Sequence, residues 1–157
     1  MPHKKLIADL GTYIEFLDNH RRTDTEVWFS PITPGKWSIH DIIAHIMMWD
    51  RHFLSETMRG IEAGQMLPIE EEDDYQAFND RAVAVGHKMS KDQLIDEAIH
   101  VRTELVARLG RLERGAFSAA PVSGKGMTLG SFLQQMFVDH DRHHVEQITK
   151  YLSQHRP

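Results

Sequence analysis

The sequence predicts an all-α fold, a four-helix bundle with long crossover connections. Two observations carry that prediction. Several long stretches space their apolar residues three and four apart, and no segment alternates apolar and polar residues at the period of a strand. A third observation sets the connectivity, because Pro- and Gly-bearing segments between the helical stretches are long enough for crossovers.

The first helical stretch carries Leu6, Ile7, Leu10, Tyr13, Ile14 and Leu17 on one face, which predicts a helix over about residues 4–20. The segment "RRTDTEVWFSPITPGKWS" follows, and Pro31, Pro34 and Gly35 mark it as a loop. Ser38 is a good N-cap, and Asp41 in the next turn places a negative charge where the helix dipole favours it. The second helix is expected over about 39–59, with Ile39, Ile42, Ile43, Ile46, Trp49 and Phe53 on its apolar side. Gly60, Gly64 and Pro68 then break the pattern, and the acidic run Glu70 to Asp74 reads as a solvated loop leading into a helix.

A third stretch begins near Tyr75, with Phe78, Ala82 and Val83 facing inward. Ser90 and Gln93 form a capping box that opens a helix with Leu94, Ile95, Ala98, Val101, Leu105, Val106 and Leu109 as its stripe. Residues 86–90 are either a kink or a break. A second long loop, "ERGAFSAAPVSGKGM", leads to Thr128, which can cap a last helix over about 129–153.

The totals fit one domain spanning residues 1–157. A net charge of −5 with histidine neutral gives no drive toward nucleic acid or an anionic membrane. No apolar run is long enough to span a bilayer, and the first residues lack the pattern of a signal peptide, so the expected location is cytoplasmic. The absence of cysteine excludes disulfides, thiolate metal sites and a cysteine nucleophile. Eleven histidines are the oddity of the composition.

Three of them fall in "DHDRHHVEQI". On an ideal helix counted from Leu133, His140 lies at about −20° and His144 at about +20°, His143 at about −80° and Asp141 at about +80°. His140 and His144 therefore point inward one turn apart, a spacing that lets two ring nitrogens converge on one cation. The plainer reading is hydrogen bonding inside the bundle. His140-Asp141-x-x-His144 is also close to the His-Glu-x-x-His motif of zinc proteases, but Asp is shorter than Glu and lies off the histidine axis. Asp141 reads instead as a support behind a ligand or a surface residue, and Asp139 as pointing to solvent. An open metal site needs a third protein ligand, and His45, His52 and His100 are candidates on predicted helices.

"GKWSIHDIIAHIMMWD" and "TLGSFLQQMFVDHDRHHVEQI" together resemble the DinB-like (YfiT-like) proteins, whose last helix carries His-x-x-x-His-x-x-Gln, here His140, His144 and Gln147. The order of the two blocks and the helical stretch between them match as well. The resemblance implies a four-helix bundle holding one divalent metal through His45, His140 and His144. It also implies a homodimer. Members of that family resemble metal-dependent hydrolases, transferases of low-molecular-weight thiols, thiol-dependent isomerases and stress or resistance proteins.

The expected function is therefore that of a metal-dependent hydrolase or thiol transferase acting on a small molecule. The alternative is a bundle that sequesters a reactive compound without turnover. Three imidazoles suit zinc or nickel, with iron or copper also compatible. Gln147 is a candidate to orient a ligand or hydrogen-bond substrate, and His143 a candidate proton shuttle. Trp37, Trp49, Met47, Met48, Met127 and Met136 are expected in the core or lining a cavity, with Trp49 and Met136 beside the metal.

Overall fold

The computed structural model describes residues 2–63, 75–119 and 127–155, and among these every regular element is helical. Helix α1 spans Pro2–Asn19 and buries Leu6, Leu10, Tyr13 and Leu17, while Ile7 and Ile14 of the expected stripe are half-buried. The expected loop after it contains a short helix, α2 (Thr25–Phe29), capped by Asp24, whose carboxylate accepts from Glu26 N. Trp28 of α2 is fully buried, so this connection is part of the core. The apolar periodicity of one and a half turns is too short to announce a helix; what fixes α2 is the anchoring of its indole.

The chain then turns at Pro34-Gly35, where Lys36 N donates to Thr33 O at 3.0 Å and Gly35 adopts φ +78°. Pro at the first central position and a positive φ at the second is the type II arrangement, which favours glycine there. The turn returns Trp37 to pair with Ile32 and delivers Ser38 to the start of α3 (Ile39–Phe53). Ser38 and Asp41 form a full capping box, each side chain bonded to the other's backbone N–H at 3.1 Å.

α3 does not stop at Phe53. It continues through a π-helical turn, Leu54–Met58, into α4 (Arg59–Glu62), so the helical path ends three residues beyond the sequence expectation. The acidic run Glu70 to Asp74 lies outside the described residues. Helix α5 (Tyr75–His87) packs on α3, and α6 (Lys91–Gly110) packs on α1 and α3. Between α5 and α6 the chain breaks, and Ser90 with Gln93 caps the new helix as the sequence foretold.

A four-residue helix, α7 (Ala116–Ala119), interrupts the second long loop. The last helical path is α8 (Leu129–Leu133), a π-helical turn over Gln134–Val138, and α9 (Asp139–Ser153). Thr128 caps it as expected, accepting from Ser131 N. Helices α1, α3, α6 and the α8–α9 path enclose a core rich in Leu and Ile, with α5 laid against α3.

The second π turn corrects two expectations. A π turn accommodates one residue more than an α turn, so everything after it is rotated by about 100° from an ideal count. Asp141, placed off-axis by that count, is in fact buried at 6% exposure, whereas Met136, expected beside the site, is on the π turn and 49% exposed. The same rotation carries His140 and His144 from the centre of the stripe to its flank, where both are half-buried, and leaves their spacing untouched.

Candidate metal centre

His45 stands in the second turn of α3, on the flank of the buried Ile42, Ile43 and Ile46. His140 lies in the first turn of α9 and His144 one turn further on. Their rings meet. His45 Nε2 is 3.3 Å from His140 Nε2, and His144 Nε2 is 3.2 Å from the same atom. One ligand atom from each of the three lies within 4.8 Å of the others, and they form a group that could hold a metal ion.

The donor set fits such an ion. Nitrogens about 2.0–2.1 Å from a tetrahedral zinc are about 3.3–3.4 Å from one another, close to the two separations observed. The outer nitrogens are occupied: His45 Nδ1 is 2.9 Å from Asn79 Oδ1, and His144 Nδ1 is 3.1 Å from Gln147 Oε1. An amide oxygen can only accept, so each Nδ1 carries the proton and donates it, leaving the Nε2 lone pair directed inward. Several lone pairs facing one another in a partly dry pocket repel unless a cation lies among them.

Burial also keeps these rings uncharged. Desolvation, with the neighbouring His144, lowers His45 to about 4, and desolvation, followed by the charges of His144 and His45, lowers His140 to about 3. His144 is lowered as well, chiefly by burial. A neutral imidazole is the form that ligates.

The wall around the group is aromatic. Trp37 lies with its ring centroid 5.0 Å from that of His45, and Trp49 at 6.4 Å, while Trp49 packs tilted against Phe78 with centroids 4.2 Å apart. His52 packs edge-on against Trp49 and Phe78, and His100 is exposed on α6; neither joins the group. His143 is exposed, its ring 5.2 Å from that of His144. Gln147 bonds within its own helix, to His144. Met47 is fully buried in the core, and Met48 and Met127 are half-buried.

Behind the histidines is a buried ionic cluster that sequence reasoning missed. Arg102 of α6, at 0% side-chain exposure, donates to both oxygens of Asp50 at 2.8 and 3.0 Å. It also donates to both oxygens of Asp141 at 2.7 and 3.2 Å, and to Leu10 O at 3.1 Å. The Tyr13 ring lies under its guanidinium at 4.6 Å. Burial pushes Asp50 up to about 6 against the pull of Arg102. Asp141 is thus neither a protease-like base nor a surface group: the rephased helix turns it to the core, where Arg102 pairs with it. Asp139, by contrast, is exposed as expected and accepts from Gln134. The signal was present, since Arg102 and Asp50 each interrupt an apolar stripe.

A family model described as the DinB superfamily matches residues 12–148. The chain belongs to the DinB superfamily. The match spans all of the elements that position the site, from α1 through most of α9. Comparisons with curated proteins and with solved structures find no match. For a DinB superfamily chain the meeting of the three histidines that the resemblance had singled out is the central geometric fact. No helix among the described residues is long and apolar enough to cross a membrane.

Proposed function

We propose that this chain is a divalent-metal-dependent enzyme acting on a small molecule, as a hydrolase or a transferase of a low-molecular-weight thiol, with His45, His140 and His144 as the metal ligands. The observation that carries the reading is the convergence of Nε2 atoms at 3.2 and 3.3 Å while the outer nitrogens of His45 and His144 are tied back. Zinc or nickel is the expected ion, because imidazole suits both.

A divalent ion held by three neutral imidazoles supplies Lewis acidity, making water or a thiol a better nucleophile near neutral pH. The chain's own residues do the remaining work. Asn79 and Gln147 hold two of the rings, Trp37 and Trp49 wall the group with apolar surface, and exposed His143 stands beside His144 as a group able to pass a proton to solvent. The chain holds no cysteine, so a sulfur nucleophile has to arrive with a cosubstrate.

Elemental analysis of untagged protein, beside the double variant His140→Ala/His144→Ala, tests the site. About one ion per chain, lost in the variant, is expected. Turnover of ester and amide substrates, or of thiols with apolar electrophiles, then separates hydrolase from transferase. Stoichiometric binding of a compound without turnover would identify a sequestering protein, and a native protein that takes up neither zinc nor nickel would sink the metal reading.

A further inference from the structure

Asn79 of α5 stands between two rings of α3. Its Oδ1 lies 2.9 Å from His45 Nδ1 and 3.4 Å from Trp49 Nε1. An indole N–H is a donor with no acceptor capacity, so the amide atom facing it is the oxygen and the NH2 points away. That same oxygen faces His45 Nδ1, and the proton between them therefore belongs to the histidine. Trp49 thus fixes the orientation of the amide, and the amide fixes the tautomer of His45. The lone pair is left on Nε2, the atom turned toward His140.

We propose that Asn79 is a positioning residue of the three-histidine site, holding His45 as its Nδ1–H tautomer so that the Nε2 lone pair faces His140 and His144. This rests on the metal-centre reading above. A carboxylate behind a ligating imidazole orients it but also adds negative charge and ligand basicity. A carboxamide gives the orientation without the charge.

The test begins with the wild-type protein free of metal. Long-range ¹⁵N–¹H spectra of its histidine rings are expected to show His45 protonated on Nδ1. In Asn79→Leu that preference is lost and zinc affinity falls about 10–100-fold, the usual cost of removing a partner behind a ligand. Asn79→Asp, which keeps an acceptor, is expected to retain the tautomer and the zinc affinity. A wild-type His45 protonated on Nε2 overturns the inference without any variant. So does an Asn79→Leu protein, folded by circular dichroism, that binds zinc like wild type, and so does an Asn79→Asp protein whose His45 is protonated on Nε2. Failure of the wild-type protein to take up either zinc or nickel overturns the metal-centre reading as well, so the two failures are distinct.

Discussion

Gly86, next to the last residue of α5, lies against α3 so closely that a Cβ built on it would stand 2.6 Å from Ala44 Cβ. Carbon atoms in contact sit about 3.5–4.0 Å apart, so Gly86→Ala forces α5 away from α3 by about 1 Å. Both neighbours are backbone-rigid, because Ala44 has no side-chain rotamer to change. Overpacking of this kind costs about 1–3 kcal/mol, whereas replacing glycine by alanine in a helix contributes at most about 1 kcal/mol of stability. The steric term wins, and Gly86→Ala is expected to lose about 1–2 kcal/mol. The displacement also reaches the site, since Asn79 lies two turns back on the same face of α5. Its 2.9 Å bond to His45 would stretch, as would the 2.8 Å bond from His40 Nε2 to Gly86 O. Urea unfolding gives the stability and the ¹⁵N spectra give the His45 tautomer. Gly11→Ala, in α1 with nothing within 4 Å of its Cβ, is the control and is expected to gain up to about 1 kcal/mol. Ala44→Gly placed in the Gly86→Ala background should recover most of the loss. A Gly86→Ala protein as stable as wild type would refute the packing argument.

Three further outcomes follow from the same geometry. Arg102→Met leaves Asp50 and Asp141 buried without a counter-charge and is expected to cost about 3–5 kcal/mol, measured by urea unfolding; a loss below about 1 kcal/mol would contradict the burial of the cluster. His40, buried between Trp28 Nε1 at 2.8 Å and Gly86 O, is lowered from its ordinary 6.5 chiefly by desolvation. The unfolded chain protonates it first, so its contribution is whole above pH 6.5 and is lost as the pH falls from there toward the folded value. The slope is at most about 1.4 kcal/mol per pH unit for each such group, and His45 acts in the same sense in metal-free protein. Urea midpoints that stay level from pH 8 to 5 would count against this, and His40→Gln should flatten the slope by one group. Ser38→Ala and Ser90→Ala each remove one half of a capping box and should each cost about 1 kcal/mol, read from thermal or urea unfolding.

Periodicity found what depends on helical spacing. The stripes of α1, α3 and α6 and the caps at Ser38, Ser90 and Thr128 were all legible because each is a local pattern with a local physical cause. The turn over Leu54–Met58 was not legible, and neither was that over Gln134–Val138, since a π turn is chosen by packing and leaves no signature in residue type. Misplacing Asp141 and Met136 followed directly, because both lie in or after the second of these. His140 and His144 survived the error, as their spacing is internal to α9. The choice of His45 over His52 came from family resemblance; tertiary packing, which brings α3 against α9, is what no single-helix pattern contains. Asn79 escaped because its role exists only between helices.

Asp50 lies just over a turn beyond His45 on α3, and Asp141 is next to His140 on α9, so the Arg102 guanidinium ties the two histidine-bearing helices together from the core side. That tie is made of protein alone. In small zinc domains the ion is the core, and stripping it dissolves the fold. Here the frame is tied without an ion, so an ion held by the three histidines would be acquired after folding, surrendered to a chelator and replaced by another on a standing frame. The metal such a site carried would then reflect the supply that the finished protein meets, with no selection made during folding.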